Sequence, residues 1–236
     1  MSNSKNYIWT GLFIAIGLTV LGFFILQSAH VMRFSNRYVN VKGLAEKEVK
    51  ADVAIWPITF KEAGNNLSDL MRIVKRNKNI IFKFLKKQGF TDDEITVSPL
   101  ATNDLTMDQY RTKPPQYRYI TTTTITVYSH KVDSVRRAMG LINELGQQNI
   151  AILPQNFDNK TQFLFTGLNK IKPGMVEEAT ANARKVAYKF AKDSGSKLGE
   201  IKSAYQGQFS ITNRDSNTPY IKKVRVVVTM DYYLAN

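Results

Sequence analysis

One pattern occurs twice in this chain and constrains its fold more than any other feature. A stretch of helical periodicity ends at a glycine, the usual residue after a helix terminus, and is followed by a strand, a polar loop and a long strand. The first copy comprises residues 67–89, 95–103 and 117–128, and the second comprises 176–195, 201–212 and 220–234. The pattern predicts a duplicated unit of one helix and a hairpin.

Alternating apolar residues add a strand before each helix. Residues 48–60 show this alternation, and residues 157–166 are its expected counterpart; a shorter strand is expected at 38–42. The internal copies then cover about 48–128 and 157–234, with a middle helix at 132–145 between them. We predict an α+β fold made of a duplicated strand-helix-strand-strand unit, mainly antiparallel sheet with packed long helices.

The two long helices are predicted to bury one face each. The first begins near Asn65, Asn66 or Ser68, which are good N-cap residues, and ends at Gly89. Pro173 suits the first turn of the second, which ends at Gly195. The predicted buried face of the second helix consists of Val176, Ala179, Ala183, Val186, Ala187 and Phe190.

The N-terminal segment differs from the rest of the chain. Residues 8–26 contain no charged side chain, and a helix of this length spans about 28 Å, close to a bilayer core. We predict a single transmembrane helix within residues 1–29 and a linker at 30–37. A cleaved signal peptide is the alternative, although its apolar core would be only about 7–15 residues long. The predicted anchor residues are Ile8, Trp9, Phe13, Leu18, Phe23 and Leu26.

The chain is strongly basic, with 33 Lys and Arg against 19 Asp and Glu and a net charge of +14. Such a charge favours anionic partners. Six basic residues of the first long helix fall within an arc of about 120° opposite its apolar stripe. This basic face is either a docking surface for anionic lipid headgroups or an acidic partner, or a solvated helix face. Its residues are Arg72, Lys75, Arg76, Lys83, Lys86 and Lys87.

No motif in the sequence assigns a catalytic, cofactor-binding or metal-binding residue. The absence of cysteine excludes disulfides, thiolate zinc sites and cysteine nucleophiles. His30 and His130 are too few for a histidine-based metal site without help from carboxylates. The adjacent carboxylates at residues 92–94 lack the alternating spacing of a calcium loop and are typical of a turn. We therefore predict a protein without a cofactor that is not an enzyme.

Several segments resemble one protein family. The stretch ARKVAYKFAKDSGSKLGEI at residues 183–201 resembles the alanine-rich helix and KLG turn of the SIMPL-domain family. YVNVKG at 38–43, KADVA at 50–54, QGFTDDEITVS at 88–98 and YRYIT at 117–121 resemble further family segments in the same order. Ala51 stands where the family usually has proline. The resemblance covers about residues 38–234 and predicts a SIMPL-like domain over 38–236.

The resemblance implies a bacterial envelope protein. Members are described as periplasmic immunogenic or oxidative-stress-defence proteins, and some assemble into ring-like homo-oligomers. Combined with the transmembrane helix predicted from residues 8–26, the export that the resemblance implies gives a single-pass inner-membrane protein with its C-terminal domain in the periplasm. The local Lys/Arg count points the other way, since Arg33, Arg37, Lys42 and Lys47 follow the apolar segment and only Lys5 precedes it. The resemblance assigns no catalytic residue.

The length of the last strand predicts self-assembly. Residues 222–234 alternate along their length and reach about 43 Å when extended, against about 17–20 Å for an ordinary strand. Such strands are expected to leave edges that a neighbouring subunit covers, which gives a closed ring or cage when the contact is head-to-tail. A long hairpin protruding from a monomer is the alternative. The predicted interface residues are Tyr117, Tyr119, Arg225, Val227 and Tyr233.

Together with the resemblance, these features predict a membrane-anchored, non-enzymatic envelope protein that self-assembles into a ring or cage and either scaffolds or protects the membrane under stress. Its expected partners are other copies of itself, membrane lipids and other envelope proteins. Nucleic acid is not expected, because the tyrosines beside basic residues are typical of cross-strand packing. The exported, anchored location expected for this chain would also seldom bring it into contact with nucleic acid. The alternative function is a monomeric or dimeric periplasmic binding module whose basic face captures anionic lipid or an acidic partner. Oligomer size separates the two.

Overall fold

The chain forms two compact units. The computed structural model describes residues 13–25, 37–107, 114–156 and 159–235. Unit 1 comprises Met1–Glu46, Pro173–Phe209 and Arg225–Asn236, and unit 2 comprises Lys47–Lys172 and Ser210–Val224. Each unit combines helix with antiparallel strands, so the predicted α+β class is confirmed.

The described residues contain short and long strands and helices of very different lengths. The strands are β1 (Tyr38–Lys50), β2 (Val53–Gly64), β3 (Ile95–Val97), β4 (Ala101–Asp104), β5 (Tyr119–Ser129), β6 (Gln162–Leu164), β7 (Lys197–Gln206), β8 (Ser210–Asn213) and β9 (Ile221–Ala235). The helices are α1 (residues 13–25), α2 (Leu67–Lys87), α3 (Val132–Gly140), α4 (Asn143–Gly146) and α5 (Leu168–Asp193).

Unit 2 is built on a five-stranded sheet of order β3-β5-β2-β6, with β4 also pairing with β5. β5 pairs antiparallel with β2 along the whole length of β5. Alternation along these two strands buries one face, which includes Trp56, Phe60 and Val127. α2 packs its apolar stripe on that face, where Ile81 and Leu85 are fully buried in the same core.

Unit 1 contains the paired parts of β1, β9 and β7, in that order across the sheet. Asn40 contacts Asp231 and Glu46 contacts Arg225, so β1 and β9 run in opposite directions. α5 covers the buried face of these strands with small side chains spaced four residues apart. They are Ala179, Ala183, Ala187 and Ala191, all buried.

The two sheets share a strand arrangement that differs from the predicted repeat. β5 is flanked by β2 on one side and by β3 and β4 on the other. β9 is flanked in the same way by β1 and by β7 and β8. In the segment 157–166, expected to open the second copy, the described residues 159–166 contain one strand, the three-residue β6, which pairs with β2. A strand of three residues is too short to hydrogen-bond the backbone N–H and C=O groups along β9. The thirteen-residue β1 lies beside β9 instead.

The break between β1 and β2 has a specific cause. The sequence predicted one strand over 48–60, whereas the chain leaves the strand conformation at Ala51 and Asp52. The Ala51 N–H donates to the Tyr220 carbonyl at 2.8 Å. The Asp52 carboxylate accepts from the N–H groups of Thr166 and Gly167 at 2.8 and 3.0 Å. Thr166 and Gly167 immediately precede α5, so Asp52 satisfies free N–H groups where that helix begins.

The helix boundaries follow local capping chemistry. The Asn66 side chain accepts from the N–H groups of Ser68 and Asp69, and Gly89 follows α2 with φ of +88°, as predicted. α5 begins at Leu168, earlier than predicted, and Pro173 lies inside it rather than in its first turn. The predicted middle helix is divided into α3 and α4 at residues 141–142.

The N-terminal segment is described only in part. Residues 13–25 form α1, and its large apolar side chains are between 48% exposed at Val20 and 69% exposed at Phe13. Within the described ranges, no helix is both long enough and apolar enough to cross a membrane. Residues 8–12 and 26 of the predicted anchor lie outside the described residues.

Candidate functional site

The main candidate site is the face of the unit 1 sheet that points away from α5. Val39 and Val41 of β1 and Val226 and Val228 of β9 are buried on the helix side. Their neighbours in sequence alternate to the opposite side. We call this side the outer face and define it by Tyr38, Asn40, Leu44, Ser203, Tyr205, Arg225, Val227, Asp231 and Tyr233.

A polar network links three strands at the centre of the outer face. The Asp231 carboxylate accepts from the side-chain amide of Asn40 at 2.6 Å and from the Ser203 hydroxyl at 2.5 Å. The bonds from Ser203 and Asn40, together with the charge of Lys202, hold the pKa of the Asp231 carboxyl below its usual range. The network fixes these side chains in place and leaves the carboxylate charged at neutral pH.

Aromatic side chains lie beside this network. The Lys202 ammonium group is 3.6 Å from the centre of the Tyr38 ring and 5.8 Å from the centre of the Tyr233 ring, within cation–π range. Tyr38 is 49% exposed, Tyr233 38% and Tyr205 69%. Tyrosine is enriched at protein interfaces, since one end of its ring is apolar and the other can hydrogen-bond.

The other end of the outer face is apolar and charged. The Arg225 Nε lies 3.7 Å from the Glu46 carboxylate. The register that sets Asn40 against Asp231 and Glu46 against Arg225 also sets Leu44 opposite Val227. The outer face therefore offers aromatic, apolar and paired charged groups on a rigid antiparallel sheet, the composition that protein contacts use.

The five predicted interface residues form two separate groups. Arg225, Val227 and Tyr233 belong to the outer face of unit 1, whereas Tyr117 and Tyr119 lie in unit 2. The Tyr119 ring is 4.9 Å from the Arg118 guanidinium group. Arg118 also binds Asp104 through two hydrogen bonds, and these lower the Asp104 pKa to about 2.

Several outer-face residues were missed from the sequence. They are Tyr38, Asn40, Leu44, Ser203, Tyr205 and Asp231, and Lys202, which contacts the face, was missed with them. The alternation of β1 would have placed Tyr38, Asn40 and Leu44 on one face of a strand. Nothing local indicates that β1 pairs with β9, so that their joint surface could not be assembled from the sequence.

The predicted reason for self-assembly is wrong in one respect. β9 and β5 were expected to leave edges open, yet each is paired on both sides within the chain. In the described part of the unit 1 sheet, the edge strands are β1 and β7 instead. Nearly every residue of the ten-residue β7 is exposed, on both sides of the strand. An exposed edge of this kind offers unpaired backbone groups to another strand.

The basic face of α2 is the second candidate surface. All six predicted residues are exposed. Three of them form ion pairs: Arg72 with Asp69, Lys86 with Asp92 at 2.6 Å and Lys87 with Glu144 at 3.8 Å. Lys75, Arg76 and Lys83 form no ion pair with any residue that the structure describes. These three cations remain available to an external anion.

Three of the six predicted anchor residues lie within the part of the chain that the structure describes. Phe13, Leu18 and Phe23 belong to α1 and are 69%, 62% and 63% exposed. Ile8, Trp9 and Leu26 lie outside the described residues.

The acidic cluster at residues 92–94 forms a turn. Glu94 accepts from the Ser129 hydroxyl at 2.6 Å, the Thr91 N–H at 2.9 Å and the Lys131 ammonium group at 3.0 Å. Burial opposes the charge of Glu94, but these bonds outweigh it and lower the Glu94 pKa to about 2. No group of three or more histidine, aspartate or glutamate side chains in the described ranges could hold a metal ion.

The fold and the outer face define an α+β protein in which a helix packs on one side of an antiparallel sheet and the other side carries exposed aromatic residues. The chain matches the family model of SIMPL, described as a protein of unknown function (DUF541), over residues 39–232. It belongs to this family, which confirms the resemblance seen in the sequence. No curated protein matches the chain.

Proposed function

We propose that this chain is a membrane-anchored, non-enzymatic envelope protein of the inner membrane, with its C-terminal domain in the periplasm. It self-associates through the outer face into a homo-oligomeric ring or cage that scaffolds or protects the membrane under stress. The observation that carries the proposal is the exposure of Tyr38, Tyr205 and Tyr233 on one sheet face. The solvated face of an antiparallel sheet usually carries polar residues instead.

The chemistry of the outer face supports contact between copies of the chain. Tyrosine and arginine dominate the binding energy of many interfaces, and the Asp231 network holds its neighbours in position before contact. β1 and β7 lie at opposite ends of the unit 1 sheet order. Contact between the β1 side of the outer face in one copy and the β7 side in the next would be head-to-tail, and such contacts close into rings when the rotation allows.

Light scattering on the detergent-solubilised full chain tests self-association. The expected mass is a fixed multiple of the subunit mass. The double variant Tyr205→Asp with Tyr233→Asp should shift this mass to that of a monomer while circular dichroism stays unchanged. The matched control is Tyr128→Asp with Tyr188→Asp, two exposed tyrosines away from the outer face, which should leave the mass unchanged. A monomeric or dimeric wild-type chain at micromolar concentration would contradict the proposal.

The exposed apolar surface of α1 supports the membrane anchor. Nine large apolar side chains between Phe13 and Ile25 are at least 48% exposed. Leaving such surface in water costs about 25 cal/mol per Å², which a bilayer would recover. The chain should remain in the membrane through high-salt and carbonate washing, and protease added to spheroplasts should digest residues 38–234. A mature N-terminus near His30 in mass spectrometry, or full protection from protease, would contradict the anchor or its orientation.

A second candidate function is the capture of anionic lipid by the basic face. The favouring observation is that Lys75, Arg76 and Lys83 are exposed without ion pairs in the described structure. Each basic residue near an anionic membrane contributes about 1 kcal/mol, screened over about 10 Å at 0.1 M salt.

Vesicle binding by a fragment of residues 37–236 tests this second function. Binding to anionic vesicles should fall as salt rises and be lost when Lys75, Arg76 and Lys83 are replaced by Glu. Replacement of Arg184, Lys185 and Lys189 by Glu makes the same charge change on exposed positions of α5 and should leave most of the binding. Equal losses of binding in both variants would show that the overall positive charge, and not the basic face of α2, attracts the vesicles.

A further inference from the structure

A lysine occupies a buried position at the start of β9. Lys222 is only 9% exposed and lies on the same side of the strand as Val224, which is fully buried. Lysine is almost never buried this far unless it is paired with an acid. Within the described residues, its ammonium group has one polar partner, the side-chain oxygen of Asn213. This oxygen is neutral, and no carboxylate of the described residues compensates the charge; burial lowers the pKa of Lys222.

The Lys222 side chain lines a cavity of about 270 Å³ in unit 2. The polar part of its wall consists of Lys160, Thr161, Gln162, Asn213 and Lys222. Two of these side chains are cations, and no carboxylate is present among the described lining residues. The electrostatic potential in the cavity therefore favours an anion.

Hydrogen-bond donors in the cavity remain available. Thr161, 6% exposed, accepts from the Gln155 side-chain amide at 2.7 Å, and its own hydroxyl hydrogen is not used by that bond. The Lys222 ammonium group has three hydrogens, of which Asn213 accepts one. The Asn213 oxygen thus orients the ammonium group and leaves two N–H bonds for a ligand.

We propose that this cavity binds a small oxyanion, a carboxylate or a phosphate group, held by Lys222 with Lys160 and the Thr161 hydroxyl. The volume is below the range of about 300–1,000 Å³ typical of drug-sized ligands. Phe163, Leu164 and Pro219 form the apolar part of the wall. A short carboxylate would place its alkyl group on them, whereas phosphate would use only the polar groups.

Calorimetric titration of the detergent-solubilised full chain tests the proposal, with inorganic phosphate and butyrate as probes at constant ionic strength. At least one probe should bind at one equivalent per chain. Lys222→Met should weaken that binding by at least about tenfold, a difference of about 1.4 kcal/mol. The control is Lys223→Met, which makes the same charge change at the neighbouring position on the opposite side of β9. Its affinity should remain near that of the wild type.

The two probes separate the possible sources of the anion. Binding of butyrate alone assigns a carboxylate ligand, binding of phosphate alone assigns a phosphate group, and binding of both assigns a general oxyanion site. If neither probe binds the wild-type chain, or if Lys222→Met binds as well as the wild type, the proposal is wrong.

A spectroscopic measurement on the wild-type chain decides the question even if Lys222→Met fails to fold. The side-chain resonances of Lys222 should titrate at higher pH when the anion is present, because a nearby negative charge favours the charged ammonium group. A Lys222 titration that neither probe changes would overturn the proposal. A lysine buried only for packing would show no such response.

Discussion

Gly43 of β1 lies directly against Ala183 of α5: a β-carbon added to Gly43 would come within 2.8 Å of the Ala183 β-carbon. Carbon atoms in favourable contact are about 3.5–4.0 Å apart, so only glycine fits here. The alanines spaced four residues apart along α5 are fully or almost fully buried for the same reason. Small residues on both elements let the helix approach the sheet closely, and dense packing follows.

Gly43→Ala should destabilise the chain. The added methyl group would overlap the α5 backbone at Ala179 as well as Ala183, and overpacking of this kind costs about 1–3 kcal/mol. Denaturant unfolding followed by circular dichroism measures the loss. Gly174→Ala, within α5 itself, is the control: its β-carbon would meet no atom within 4 Å, and the change should stabilise the chain by about 0.5–1 kcal/mol. Equal stability of Gly43→Ala and the wild type would contradict the close packing.

Asn77→Ala should also lower the free energy of unfolding. Asn77 is fully buried on α2, donates to the Glu62 carboxylate at 2.7 Å and accepts from the Arg76 side chain at 3.2 Å. Removing its amide leaves Glu62 without that donor and should cost about 1–3 kcal/mol. Asn79→Ala changes the same residue type at an exposed position of α2 and should change stability by less than about 0.5 kcal/mol. The same unfolding measurement separates the two variants, and similar losses would argue against the buried bond.

Glu94→Gln should remove part of the acid sensitivity of the chain. The folded-state pKa of Glu94 is lowered from the ordinary 4.5 to about 2 by bonds to Ser129, Thr91 and Lys131, despite burial. Because the folded value lies below the unfolded value, the stabilisation is complete above about pH 5 and is lost as pH falls from 4.5 towards 2.

The variant should therefore be less stable than the wild type by about 1–3 kcal/mol near neutral pH, and the difference should shrink towards pH 2. Unfolding free energies measured across this range give the comparison. Glu177→Gln, an exposed change on α5, is the control and should match the wild type near neutral pH within about 0.5 kcal/mol. A gap between Glu94→Gln and the wild type that stays constant with pH would show that the Glu94 charge is not the cause.

Helical periodicity predicted the buried face of α5 only in part. Ala179, Ala183 and Ala187 are buried as predicted, but Val186 is 49% exposed and Phe190 56% exposed. The contact with the sheet follows the ridge of residues spaced by four, which turns slowly around the helix axis. Projecting the residues around the helix axis at 100° each does not show which row of side chains will contact the sheet. The alanine ridge permits the closest approach, and the larger side chains remain outside it.

For the basic face of α2, the sequence predicted which side chains are exposed but not which of them form ion pairs. The 3.6-residue period was enough to place its six cations opposite the apolar stripe, and all six are exposed. Their ion pairing could not be predicted, because Asp92 and Glu144 approach Lys86 and Lys87 from other parts of the fold. Lys222 is a similar case, since its burial depends on strands and loops distant in sequence.

The sequence by itself determined the elements that depend on local chemistry: the α+β composition, the start of α2 at the Asn66 cap and the helix ends at Gly89 and Gly195, both with positive φ. Caps and left-handed turns involve only a few neighbouring residues, so a short stretch of sequence is enough to predict them. Only the tertiary structure decided that β1 rather than the segment 157–166 pairs with β9, and therefore which side chains form the outer face. Strand pairing is a choice among distant segments with similar patterns, and it is settled by which of them can satisfy the backbone of β9 and still pack against α5.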